Sequence, residues 1–233
     1  MAGHDAKTAS GPEQFLLDHF DSPAAQLHTA KLGMWVFLAS EILFFSGLFT
    51  AYAVYRGNHP EMFAYGQHFL DWRMGALNTV VLITSSLAAA LSVRFAQLGQ
   101  QTALRRSLLA VIGCAIAFMV VKYLEYSHKI TNGVVWGDGF SPSPEILAEL
   151  PAALRALPVP EGMGRFFSIY YCMTGLHGIH VLVGIGIYVW IYRHAARGHY
   201  GPTYYNAVDN AALYWHLVDL IWIFLFPLFY LIG

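Results

Sequence analysis

WVFLASEILFFSGLF, Trp35 to Phe49, holds one ionisable residue, Glu41, in an otherwise uncharged run. Widened to about 31–56, the stretch is long enough to cross the roughly 30 Å hydrocarbon core of a bilayer as a helix. Backbone polar groups in lipid must be bonded within the segment, which selects a helix. Four more such runs follow, at about 74–97, 105–128, 165–193 and 210–232. The chain has 233 residues, 57% of them hydrophobic and 12% charged, with a mean hydropathy of +0.48. A soluble domain carries about 25% charged residues. The composition therefore predicts an all-α integral membrane protein, with five transmembrane helices bundled over 31–233 behind a cytoplasmic or interfacial segment, 1–30.

A net charge of −1 leaves no electrostatic footprint for nucleic acid. Cys114 and Cys172 both lie in apolar runs, which argues against a disulfide framework. MAGHDAKTASGPEQ at the N-terminus lacks the basic-then-apolar order of a secretory signal, so insertion falls to the internal spans.

An odd number of spans puts the termini on opposite faces. Lys7, Lys31, Arg94, Arg105, Arg106, Arg193 and Arg197 fall on the N-terminal side, and the short 97–105 connection has no acid. Asp138, Glu145, Glu149 and Glu161 fall on the other. The positive-inside rule then places the N-terminus in the cytoplasm and the C-terminus in the periplasm. Trp72, Trp136 and Trp190 stand near span ends, where indole rings favour the headgroup level. The proline-rich 129–164 connection reads as an extramembrane loop, with helical turns at EILAEL and AALRAL cut by Pro151. EQFLLDHF, 13–20, reads as a short interfacial helix.

Gly33, Ser40 and Gly47 recur every seven residues in span 1, and Asn78, Ser85 and Ser92 do so in span 2. Small and hydroxylated residues on one stripe let helix backbones approach and bond, which predicts a tight hairpin of the first two spans. Gly175, Gly178, Gly184 and Gly186 in span 4 predict a face pressed against another helix.

Several polar residues lie where lipid tolerates few. Glu41 falls roughly 14 Å deep in the membrane by helical rise, so it must be protonated or find a partner. It reads as a packing hydrogen bond or a proton-linked group. His177 and His180 are spaced i, i+3, as are His216 and Asp219, and Glu125 and His128, with Lys122 and Lys129 beside the last pair. Glu-x-x-His is a di-iron spacing in helical bundles, so a di-metal site of Glu125, His128, His177 and His180 is one reading. Haem held by His180 and His216 is a second. The third is a polar network between helices, built by Glu125, His177, His180, His216 and Asp219, with no metal.

LGMWVFLASEILFFSGLF, LNTVVLITSS, KYLEYSHK, YYCMTGLHGIHVLVG and YWHLVDLIWIFLF together resemble subunit III of haem–copper oxidases, from about Leu32 to the C-terminus. The likeness is to the five-helix bacterial form, which lacks the first two helices of the seven-helix form. It implies a multi-pass protein of the bacterial inner membrane with no catalytic residue, haem, copper or other metal of its own. Its expected partners are oxidase subunits I and II, which hold the haem and copper and reduce O2 to water while pumping protons. A small fourth subunit or a respiratory supercomplex would extend that set. The resemblance further implies support of proton uptake and bound phospholipid. It marks Glu41 as the family's buried carboxylate, His177, His180, His216, Asp219 and Glu125 as motif positions, and Phe37 and Arg193 as lipid-touching. Whether electrons come from cytochrome c or quinol, and whether O2 or nitric oxide is reduced, stays open.

Overall fold

The computed structural model describes residues 22–232. Five helices in it are long and apolar enough to cross a membrane: His28–Asn58, Trp72–Gln97, Gln101–Thr131, Met163–Ala196 and Asn206–Tyr230. The first belongs to α1 (Pro23–Asn58), followed by the short α2 (Pro60–Gly66), then α3 (Trp72–Gln97) and α4 (Gln101–Thr131). Short α5 (Pro144–Glu149) and α6 (Ala152–Arg155) precede α7 (Met163–Ala196) and α8 (Asn206–Tyr230). The spans match the hydropathic runs, and the helices overshoot them because hydrogen bonding continues past the apolar core. α1 starts well before residue 31. Ser22 caps it, its hydroxyl accepting from Ala25 N at 3.2 Å, and Pro23 supplies the first-turn φ. The segment 13–20 lies outside the described residues.

α8 is the centre of the bundle, packed against α3, α7 and α1, while α3 also lies along α4 and α4 along α7. Its Trp215 and Trp222 are wholly buried. The Trp215 indole donates to Ser85 Oγ at 2.6 Å, and that of Trp222 to Thr79 Oγ1 at 3.1 Å. Asn78, Ser85 and Ser92 thus lie on the packed face of α3, as their spacing requires.

The expected hairpin of α1 and α3 does not form. α1 packs on α8 and α2, and Gly33, Ser40 and Gly47 face outward. A Cβ at Gly33 or Gly47 would meet no atom within 4 Å, and the Ser40 hydroxyl turns back to Phe37 O at 2.7 Å. The physical reason is competition. The polar stripe of α3 is taken by α4 and α8, and the α2 connection carries α3 away from α1. Of the span 4 glycines, Gly184 alone is pressed against a neighbour, the Trp215 ring; Gly175, Gly178 and Gly186 have open space.

One end of the bundle is capped. After α4, Gly133 turns the chain at φ +74, a conformation that L side chains resist. Ser141 N then donates to Gly133 O at 2.9 Å, and Ser143 N to Asn132 O at 2.9 Å. Phe140 stacks on Phe167 at 5.4 Å, and the Tyr171 hydroxyl donates to Val134 O at 2.8 Å. The 129–164 connection is therefore an ordered lid on the start of α7. The opposite end, which carries the 98–100 and 197–205 turns, has no such cover among the described residues.

Candidate functional site

The polar residues of the spans fall into separate clusters and not into one network. The densest lies near the capped end. Glu125 and Lys129 share a face of α4 by their i, i+4 spacing, and Lys122 stands one turn earlier. Glu125 Oε2 accepts from Lys122 Nζ at 2.8 Å. Oε1 accepts from Lys129 Nζ at 2.6 Å, from the Tyr170 hydroxyl of α7 at 2.9 Å and from the Tyr230 hydroxyl of α8 at 2.7 Å. Lys122 also donates to the hydroxyls of Tyr170 at 3.1 Å and Tyr230 at 3.0 Å. Its three ammonium protons are thus all used. The aromatic faces of Tyr126 and Trp222 lie 4.9 and 5.2 Å from the same nitrogen, close enough for cation–π attraction. All three charged residues are buried.

A second cluster joins α1 to α7. Glu41 Oε2 lies 3.0 Å from His180 Nε2. His180 Nδ1 lies 2.8 Å from Leu176 O, and a carbonyl can only accept, so Nδ1 carries a proton. Nε2 and Glu41 therefore share one further proton: either the acid donates to a neutral ring or the imidazolium donates to a carboxylate. Phe45 sets its ring edge against His180 at 5.2 Å, and the Tyr214 hydroxyl donates to His180 O at 2.8 Å. A groove of about 430 Å³ between α1, α7 and α8 opens onto this pair, with Phe37, Trp190 and Tyr214 among its walls. Arg193 is exposed and lies outside the lining.

His216 turns to α3, its Nδ1 2.6 Å from Ser86 Oγ. Asp219 is buried, with the Ser86 hydroxyl as a close polar neighbour and no hydrogen bond of good geometry to either oxygen. His177 is wholly buried, edge-on to Phe118 at 5.5 Å and tilted on Trp222 at 5.4 Å, with both ring nitrogens unpaired in the protein. His177 and His180 do not share a partner, because three residues along a helix still separate two side chains by about 60°.

These positions favour neither metal reading. Glu125 is saturated by lysines and tyrosines. His128 sits half out of the capped end, 3.9 Å from Glu149, and His177 and His180 face different neighbours. Among the described residues, no three metal-ligating side chains converge. Nor do His180 and His216 oppose each other across a haem-sized gap, since one turns to α1 and the other to α3. Sequence reading missed Tyr170, Tyr230 and Ser86. Their signal was faint, because tyrosine and serine at buried positions look like ordinary packing residues until a charged partner is known.

Comparison with known proteins agrees with this architecture. The family model described as cytochrome c oxidase subunit III matches residues 160–233. The chain is 29% identical to a Synechocystis protein named cytochrome c oxidase subunit 3, over 86% of this chain and 74% of that one. It is 27% identical to a heme-copper oxidase subunit I+III of Aeropyrum pernix, over 93% of this chain and 24% of the longer protein. A probable quinol oxidase subunit 3 of Staphylococcus haemolyticus is 24% identical over 91% of this chain and 94% of its own. With five helices among the described residues long and apolar enough to cross a membrane, the chain is similar over most of its length to proteins named subunit 3 of cytochrome c and quinol oxidases.

Proposed function

We propose that this chain serves as a non-catalytic subunit III of a proton-pumping respiratory haem–copper oxidase. What carries the reading is the similarity to subunit III proteins over most of the chain, borne on a five-helix bundle whose Glu41 and Glu125 are each engaged by neighbouring side chains. The haem and copper belong to the partner subunits, with subunit I the immediate neighbour. The A. pernix relative supports that pairing, because its name joins I and III in one chain. Subunit II, and a small fourth subunit or a supercomplex, complete the expected assembly in the bacterial inner membrane. The capped end faces the periplasm and the N-terminus the cytoplasm.

In that assembly Glu41 and His180 form a proton-holding contact between α1 and α7 that influences proton supply to the neighbouring subunit. Arg193, exposed in the last turn of α7, offers a multidonor cation to a phospholipid phosphate. Phe37, 41% exposed on α1, offers an apolar wall to an acyl chain.

Gentle detergent purification through a tag on this chain tests the reading. A haem-bearing catalytic subunit is expected to co-purify. Isolation of the chain alone with stoichiometric iron or its own Soret band would end it. Glu41→Gln is expected to assemble and turn over normally, and Glu41→Leu to loosen subunit association and shorten activity over many cycles.

A further inference from the structure

The Glu41–His180 groove has features that a simple acyl-chain trough does not need. We infer that it binds the ring of a quinol, an amphiphile with opposed hydroxyls on a flat apolar body.

Depth is the first argument. Glu41 lies two residues from the midpoint of the spanning segment His28–Asn58, within about 3 Å of its centre along the axis. A phospholipid carries its oxygens at the headgroup level, far from this point. A quinoid ring brings its oxygens into the hydrocarbon layer.

The unspent polar atoms are the second argument. Glu41 uses Oε2 on His180, while Oε1 makes no hydrogen bond among the described residues and the side chain lines the groove. Asn210 lines it too, and its Oδ1 is buried without a partner. Asn210 stands one helical turn from Tyr214, about 6 Å along the axis, and Tyr214 bonds at the level of His180. The groove therefore presents polar groups at two levels about a turn apart, with apolar wall between them. An alkyl chain would leave both levels unsatisfied, at a cost that grows as water is excluded. One quinol hydroxyl donating to Glu41 Oε1 and the other to Asn210 Oδ1 would satisfy them.

The walls are the third. Phe37 and Tyr214 lie with centroids 6.1 Å apart, and Trp190 stands toward the uncapped end. Flat aromatic faces suit a flat ring. The groove's 430 Å³ is within the usual range for small-molecule sites. Binding is all that is inferred, and electron transfer has no part in it. The inference is independent of the chain's place in an oxidase, since it concerns only α1, α7 and α8.

The probe is an azido-ubiquinol with a short alkyl tail, kept reduced and photolysed with the full chain in the complex as it purifies. Label is expected on groove residues of α1, α7 or α8 and should be competed far more strongly by decylubiquinol than by phosphatidylglycerol at equal mole fraction. Val183→Trp fills the groove from an exposed wall position and should cut the label about tenfold, which corresponds to about 1.4 kcal/mol. Glu41→Leu should weaken it and Glu41→Gln restore most of it. Equal competition by phosphatidylglycerol would mark a lipid trough and overturn the inference, as would label on these helices that Val183→Trp leaves unchanged. Failure of the oxidase subunits to co-purify would bear on the proposed function alone.

Discussion

Glu125 and Glu41 are both carboxylates of spanning helices, and their surroundings differ in every respect that governs a buried charge. Four donors converge on Glu125, from Lys122, Lys129, Tyr170 and Tyr230, and its residue is 3% exposed. One proton joins Glu41 to His180, and its second oxygen opens on a groove. The first acid meets as many donors as a carboxylate has lone pairs, so none can be taken away cheaply. The second is held by a single bond and can exchange that bond for another. A saturated charge fixes three helices, α4, α7 and α8, in register. An unsaturated one, at the junction of the peripheral α1 with α7, is where a ligand or a proton can act.

The largest effect expected from this contrast is that of Glu125→Leu. It strands two buried ammonium groups without a counter-charge, which costs about 3–5 kcal/mol. Thermal unfolding in detergent should show a collapse in the yield of folded protein. The triple variant Glu125→Leu, Lys122→Met, Lys129→Met should recover much of the loss, because an ion cluster replaced whole by apolar groups is often near neutral. If the single variant matched the wild type, the saturated cluster would hold nothing together. Next in size is Tyr230→Phe. It removes one donor to Glu125 and one acceptor from Lys122, bonds to charged groups worth about 1.5–3 kcal/mol each. The two losses overlap within one network, so the change read by the same melt should fall within that range.

The bundle was legible in the sequence because five apolar runs separated by turn residues leave few alternatives in lipid. Which helices touch was much less so. Seven-residue spacing made the stripes of α1 and α3 look equivalent, and only the α3 stripe is buried. Spacing states that a face exists and is silent on what meets it. The α3 face that buries Asn78, Ser85 and Ser92 packs on α4 and α8, where Trp215 bonds Ser85 and Trp222 bonds the neighbouring Thr79. The candidate acids and imidazoles were found by their rarity in lipid. Their division into clusters was not, because it depends on helix rotation. His177 and His180 sit on the same side of α7 by count, and 60° of rotation sends one to Phe118 and the other to Glu41. Tyrosines escaped because a phenol in a membrane helix has an ordinary reason to be there.

Smaller effects belong to Glu41. Glu41→Leu removes the single bond to His180 in a partly open site, and about 1 kcal/mol is expected from a lost hydrogen bond of this kind. The change should be read on the isolated assembly by the same thermal melt, where it ranks below Tyr230→Phe. A result above that variant would mean that α1 is held chiefly through this contact and not through its packing on α8.

The sharpest discrimination comes from one substitution made twice. Glu41→Gln keeps volume and supplies an amide N–H to His180 Nε2, which then only accepts, while Nδ1 keeps its bond to Leu176 O. The neutral form of the pair is reproduced, and the melt should move by less than about 0.5 kcal/mol. Glu125→Gln keeps volume equally well, yet an amide has one acceptor oxygen where four donors point, and its own N–H group would face an ammonium. Its negative charge is also gone, leaving Lys122 and Lys129 opposed by nothing between them. The same atom-for-atom exchange should therefore be nearly silent at one acid and severe at the other. Equal shifts at the two positions would mean that hydrogen-bond saturation does not separate them, and the contrast between a fixed and an available carboxylate would have to be abandoned.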